Sequence, residues 1–188
     1  MNNYIDVTEK WIKEAKPKSG IIRFLNYAIA SDNKKYDFTN SVLSFDIDND
    51  FDIGTWFKNT LWGNVRYQPA IKYPHRIKTA DLRVFRCPYI MGKTIEIKTI
   101  NSKRRDGIGR RLKEAQKQSE NILLDVTNYP FDIEIIKYEI HKFFVNHKTI
   151  KTIIVKRVNS LLFVWQKRKK GSPTTRPTNL LQYNTITN

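Results

Sequence analysis

Between residues 80 and 126 the chain passes through ADLRVFR, KTIEIKTI, IGRRLKEAQKQSE and NILLDV, a succession that leaves few folds open. The first two stretches alternate with the period of two expected of strands, and the breaks at Cys87-Pro88-Tyr89 and Met91-Gly92-Lys93 join them as a hairpin. Ile108, Leu112 and Ala115 then share one helical face, with Arg110, Lys113 and Lys117 largely elsewhere. In NILLDV the apolar residues are contiguous, as in a strand covered on both faces. Upstream, DIGTWFKNTLW reads as a helix with Asp50 or Asp52 as its cap and Gly63 at its end. Downstream, residues 131–146 repeat the helical pattern through Ile133, Ile136, Ile140 and Phe143, and TIKTIIVKRV and SLLFVWQK supply two more strands. This order predicts an α/β fold, a mixed sheet flanked by helices.

The front of the chain is less regular. Ile5, Trp11, Ile12 and Ala15 fall at roughly helical spacing and predict a short helix over residues 4–15. GIIRFLNYAIA and NSVLSFDI read as two strands of a hairpin-like unit over residues 20–47, separated by the polar SDNKKYD, and NVRYQPAIKYP reads as a strand and a proline-bounded turn. The expected organisation is an extension over 1–50, a main domain over 51–170 and a flexible Ser, Thr, Asn and Pro-rich tail over 171–188.

Charge narrows the class of partner. The net charge is +16, yet residues 1–62 hold 8 Lys and Arg against 9 Asp and Glu, while residues 63–188 hold 26 against 9. A field concentrated in two thirds of the chain points to a polyanion such as nucleic acid, because Lys and Arg on phosphates release condensed counterions. Cys87 is the only cysteine, which excludes an intramolecular disulfide and a zinc site of several thiolates. No apolar run is long enough to span a membrane, and MNNYIDVTEKWIKEAK lacks the apolar stretch of a signal peptide, so the chain as given is expected to be soluble. His75, His141 and His147 are too scattered for a metal cluster, and a GxxxxGK[ST] phosphate loop is missing from the sequence. Trp56, Trp62 and Trp165 read as packing residues.

The chemistry gathers around Glu96-Ile97-Lys98. In a strand, Glu96 and Lys98 point to one face and Ile97 to the other, and Asp81, at the start of the preceding strand, can meet them across the hairpin. Two carboxylates suit a hard divalent cation such as Mg²⁺, which keeps several waters and accepts phosphate oxygens. A lysine beside them orients or deprotonates a water and offsets phosphate charge. Arg104, Arg105, Arg110, Arg111, Lys113 and Lys117 follow on the next loop and helix and are expected to border the cleft as phosphate contacts, arginine being suited to bidentate binding; the alternative track is Lys151, Lys156 and Arg157.

From KTADLRV through KTIEIKTI to RLKEAQKQSENILLDV the chain resembles the nuclease domain of contact-dependent growth inhibition toxins and related polymorphic toxins, a branch of the PD-(D/E)xK group whose members are commonly tRNases. The resemblance covers about residues 52–165. It implies metal-dependent cleavage of nucleic acid, tRNA favoured and DNA open, by Asp81, Glu96, Lys98 and Gln118. It also implies a cognate immunity protein, and a cytoplasmic site of action after delivery as part of a secreted effector. The upstream helix of the group usually supplies a glutamate to the metal; here only Asp52 stands at its start, so either Asp52 takes that role or Asp81 and Glu96 suffice. Asn121 is a weaker candidate, its placement being ordinary turn chemistry. The competing readings are a DNA endonuclease of a restriction, repair or mobile-element system and an inactive nucleic-acid-binding protein.

Overall fold

The structure, a computed structural model, describes residues 4–168 apart from 18–19, 46–47, 62, 86, 88 and 91–92. Trp62 and the expected tail over 171–188 therefore lie outside the described residues, as do Pro88, Met91 and Gly92 of the hairpin connection.

Eight of the described strands form one mixed sheet. At its centre are β9 (Thr94–Thr99), β10 (Asn121–Asp125) and β11 (Thr152–Arg157), paired in parallel. Next to β9 come β8 (Leu82–Phe85), antiparallel, then β6 (Asn64–Tyr67) and β2 (Ile22–Phe24). On the other side, β12 (Ser160–Lys167) returns antiparallel to β11 and carries β1 (Tyr4–Asp6) on its outer edge. Helices α1 (Thr8–Glu14), α2 (Asp48–Thr60), α3 (Gly107–Ala115) and α4 (Ile133–Asn146) cover it.

Alternation along the central strands sorts side chains into two cores. Ile95, Ile97, Leu123 and Ile154 pack with Ile53, Trp56 and Phe57 of α2, with Leu61 just after it and with Trp11 of α1. Ile122, Leu124, Ile153 and Val155 pack on the opposite face with Ile108 and Leu112 of α3 and Ile136 and Ile140 of α4. NILLD is apolar without interruption because β10 is covered on both faces, and all five of its residues are buried. Helix α4 starts where its sequence says it must: Asp132 accepts from the Ile135 N–H at 2.9 Å.

Three local expectations are corrected. Residues 4–6 are strand rather than helix, because pairing with β12 stacks Tyr4 on Trp165 (4.5 Å) and Phe144 (5.1 Å) and brings its hydroxyl 2.7 Å from His141 Nδ1. Residues 20–47 form no single hairpin: β2 joins the main sheet, β3 (Tyr27–Ile29) pairs with β4 (Lys35–Asp37) out of the polar stretch itself, and β5 (Val42–Ser44) pairs with β7 (Ala70–Tyr73). Strands of three residues carry too little alternation to reveal their partners. Finally, α2 begins at Asp48, which places Asp50 and Asp52 inside the helix rather than at its cap.

Candidate active site

The register that pairs Leu82 with Ile95 sets Asp81, the residue before β8, opposite Glu96. Glu96 and Lys98 share the α3 face of the sheet, and Gln118, in the turn that ends α3, drops onto the same place. Asp81, Glu96, Lys98 and Gln118 all line one cleft of about 310 Å³.

Hydrogen bonds hold each of them. Asp81 Oδ2 accepts from the Ile97 N–H at 2.7 Å, so the strand that carries the glutamate also orients the aspartate. Glu96 Oε1 accepts from Lys98 Nζ and from Gln118 Nε2, the latter at 2.6 Å. The same Gln118 amide donates to the Thr79 carbonyl at 2.9 Å, tying the end of α3 to the segment before Asp81. Gln68, buried beside the cleft, donates from its backbone to the Asp81 carbonyl (2.9 Å) and from its side chain to the Ala80 carbonyl (3.1 Å). It is a positioning residue that the sequence did not single out, because nothing distinguishes the glutamine of RYQPA before the fold is known.

Glu96 is fully buried, at 0 % exposure, and its Oε2 accepts no hydrogen bond. Burial first, and the neighbouring Asp81 carboxylate second, push its carboxyl up to about 8, against the pull of the Lys98 ammonium. Ionising this carboxyl beside the Asp81 carboxylate, with no N–H donor for Oε2, is costly, so Glu96 keeps its proton, hydrogen-bonded to Asp81, near neutral pH. Paired carboxylate oxygens are of the donor type that hard divalent cations take. Among the described residues no group of three or more His, Cys, Asp or Glu could hold a metal ion, and Asp81 and Glu96 are the two carboxylates in the described lining of the cleft.

Other expected site residues lie elsewhere. Asp52 is exposed on α2 and does not line the cleft. None of the six expected phosphate contacts lines it either. Arg104 and Arg110 pair with Asp106 (3.1 and 4.0 Å), Arg111 with Glu114 (2.9 Å) and Arg105 with Glu139 (3.8 Å). Lys113 and Lys117 are exposed on and just beyond α3. The cations that do line the cleft are Lys98 and two that the sequence analysis passed over, Lys72 of β7 and Lys78, which precedes Asp81 by three residues. The alternative track fails for two of its three members: Lys156 is buried against Asp125 (2.6 Å), and Arg157 is spent on the Tyr129 and Phe131 carbonyls. Asn121 donates to the Thr94 carbonyl at 3.1 Å, at the sheet end. Cys87 is buried, its thiol pushed up to about 11 by burial, which leaves it unreactive.

The fold and cleft thus define a mixed α/β domain with a carboxylate pair and a lysine converging beside a strand hairpin. Residues 87–161 match the family model of the contact-dependent growth inhibition CdiA C-terminal domain. The match contains Glu96, Lys98 and Gln118, begins after Asp81, and makes the chain similar to the C-terminal toxin domain of these contact-dependent effectors. No curated protein and no solved structure matches the chain. No helix among the described residues is long and apolar enough to cross a membrane.

Proposed function

We propose that the chain is the toxin domain of a contact-dependent effector and acts as a metal-dependent endonuclease, with tRNA as its favoured substrate. The observation that carries this reading is the buried Glu96 carboxyl, whose Oε2 has no N–H donor and which lies against the Asp81 carboxyl in a cleft that also holds Lys98. Asp81 and Glu96 would hold Mg²⁺, which supplies charge neutralisation at a phosphate and acidifies a bound water. The chain's own groups do the rest. The Ile97 N–H fixes Asp81, and Gln118 and Lys98 together fix Glu96 through Oε1, leaving Oε2 as the available ligand. The Lys98 ammonium, part-exposed in the cleft, orients the attacking water and offsets the charge that builds on the phosphate oxygens.

The preference for tRNA over DNA rests on the family resemblance alone, as do a cognate immunity protein, delivery and action in a target cytoplasm. The experiment is incubation of the purified protein with total RNA and with plasmid DNA, in Mg²⁺ and in chelator. Metal-dependent cleavage of the tRNA fraction, absent from Glu96→Ala and Lys98→Ala, is expected. Cleavage of plasmid alone would favour the DNA endonuclease, and cleavage of neither would leave a binding protein.

A further inference from the structure

Two residues of the cleft wall, Tyr67 and Phe45, belong also to a cluster of four aromatic rings that reaches the surface. Its outer members are Phe24 of β2 and Phe51 of α2, 47 % and 38 % exposed. Phe24 stacks on Tyr67 at 5.2 Å and 21°, Phe51 on Tyr67 at 5.7 Å and 24°, and the two phenylalanines stand 6.2 Å apart and 4° from parallel. Phe45 braces Phe24 edge-on at 5.3 Å and 89°. The plate is fixed in place. Tyr67 donates its hydroxyl to the Phe51 carbonyl at 2.8 Å and sits so close to α2 that a Cβ at Gly54 would come within 2.0 Å of that oxygen.

The same cleft carries Lys72 and Lys78, both exposed and, among the described residues, in no ion pair. Four arginines of the α3 region are matched by acids; these two lysines are not. Rigid ring faces continuous with a cleft in which Lys72 and Lys78 have no carboxylate partner among the described residues offer what one nucleotide needs: a plane for its base and ammoniums for its phosphates.

We propose that Phe24, Phe51 and Tyr67, with Lys72 and Lys78, form a nucleotide subsite that stacks an unpaired base and holds its flanking phosphates, so that the cleft takes single-stranded nucleic acid in preference to duplex. In a duplex each base face is covered by its neighbours, and only an unstacked base presents a free plane to a protein ring. This rests on the endonuclease reading for the role of the cleft, but not for its readout.

The test is fluorescence titration of a short oligonucleotide carrying 2-aminopurine, as single strand and as duplex, in ribo and deoxyribo forms, with Glu96→Gln protein so that nothing is cut. The single strand is expected to bind more tightly than the duplex and to be quenched on binding. Stacking contacts of this kind are worth about 5- to 150-fold in affinity, so Phe24→Leu, which keeps apolar bulk but removes the ring, should weaken single-strand binding at least about fivefold while Phe24→Trp retains it. Should Phe24→Leu fail to fold, Phe51→Leu on the exposed helix face takes its place. Equal binding by the leucine variants and the parent, or duplex bound as tightly as single strand without quenching, overturns the subsite; rings that leave nucleic acid unaffected yet are needed to bind a protein partner overturn it too. Absence of cleavage by the unmodified protein would sink the endonuclease reading separately, since the binding measurement needs no cleavage.

Discussion

Replacing Glu96 by glutamine should make the metal-free protein more stable at alkaline pH while removing its activity. Glu96 ionises near 4.5 in an unfolded chain but is held up to about 8 in the fold by burial and the Asp81 charge. Between those values the native state keeps a proton that the unfolded state has lost, so stability falls as pH rises. The contribution is fully present below about pH 4.5, declines by about 1.4 kcal/mol per pH unit, and is gone above about 8, in total on the order of 5 kcal/mol. Glutamine keeps the shape and an oxygen for Lys98 and Gln118, carries no charge, and places N–H donors where Oε2 has none. Urea unfolding in chelator at several pH values from 5 to 9, followed by the fluorescence of the buried Trp11, Trp56 and Trp165, measures the effect. The one-proton slope is expected in the parent and absent from Glu96→Gln, so that the curves meet near pH 5 and separate by several kcal/mol at pH 9. Added Mg²⁺ should stabilise the parent more at pH 9 than at pH 5, since cation and proton compete for the same carboxylates. Identical slopes in parent and variant would mean that Glu96 is not held protonated, and the argument for a cation-completed pair would fall with it.

In a salt titration of nucleic-acid binding by cleavage-disabled protein, Lys72→Gln with Lys78→Gln should lower the slope of log affinity against log salt by about two, and neutralising Arg104, Arg105, Arg110 and Arg111 by less, because those arginines already have acidic partners; the reverse order would put the phosphate track on α3. Two helical glycines should respond with opposite sign to alanine in thermal melts: Gly109→Ala, with nothing within 4 Å of the new Cβ, gains about 0.5–1 kcal/mol, whereas Gly54→Ala loses stability because that carbon would sit 2.0 Å from the Tyr67 hydroxyl. Asp125→Ala strands the buried Lys156 ammonium, paired at 2.6 Å, and should cost about 3–5 kcal/mol by urea unfolding; a cost below about 1 kcal/mol would show that Lys156 reaches water.

The parts of this site that could be read in the sequence are those fixed by local periodicity. ADLRV and IEIKT alternate, so Asp81, Glu96 and Lys98 follow from a two-residue repeat and one hairpin register. Gln118 does not follow from any repeat; it reaches Glu96 because α3 turns back across the sheet, and only the resemblance to a toxin family marked it. The expectation for Asp52 depended on a helix start, and a shift of one turn, with α2 beginning at Asp48, was enough to carry that side chain away from the cleft. The arginine expectation counted charges without pairing them, although Asp106 and Glu114 stand four and three residues from Arg110 and Arg111, spacings that place them side by side on a helix. The ring plate is the opposite case. Phe24, Phe45, Phe51 and Tyr67 come from three elements and the residue after a fourth, and what joins them is β2 lying beside β6 while Gly54 lets α2 close on Tyr67. A three-residue strand announces neither its partner nor its face, so a surface assembled through one becomes legible only when the sheet is complete. The carboxylate pair can therefore be read from 16 consecutive residues, 81–96, whereas the wall proposed to choose a substrate depends on pairings more than 40 residues apart, such as Phe24 with Tyr67; on the proposed reading, substitutions in the front third of the chain are where specificity should change without loss of chemistry.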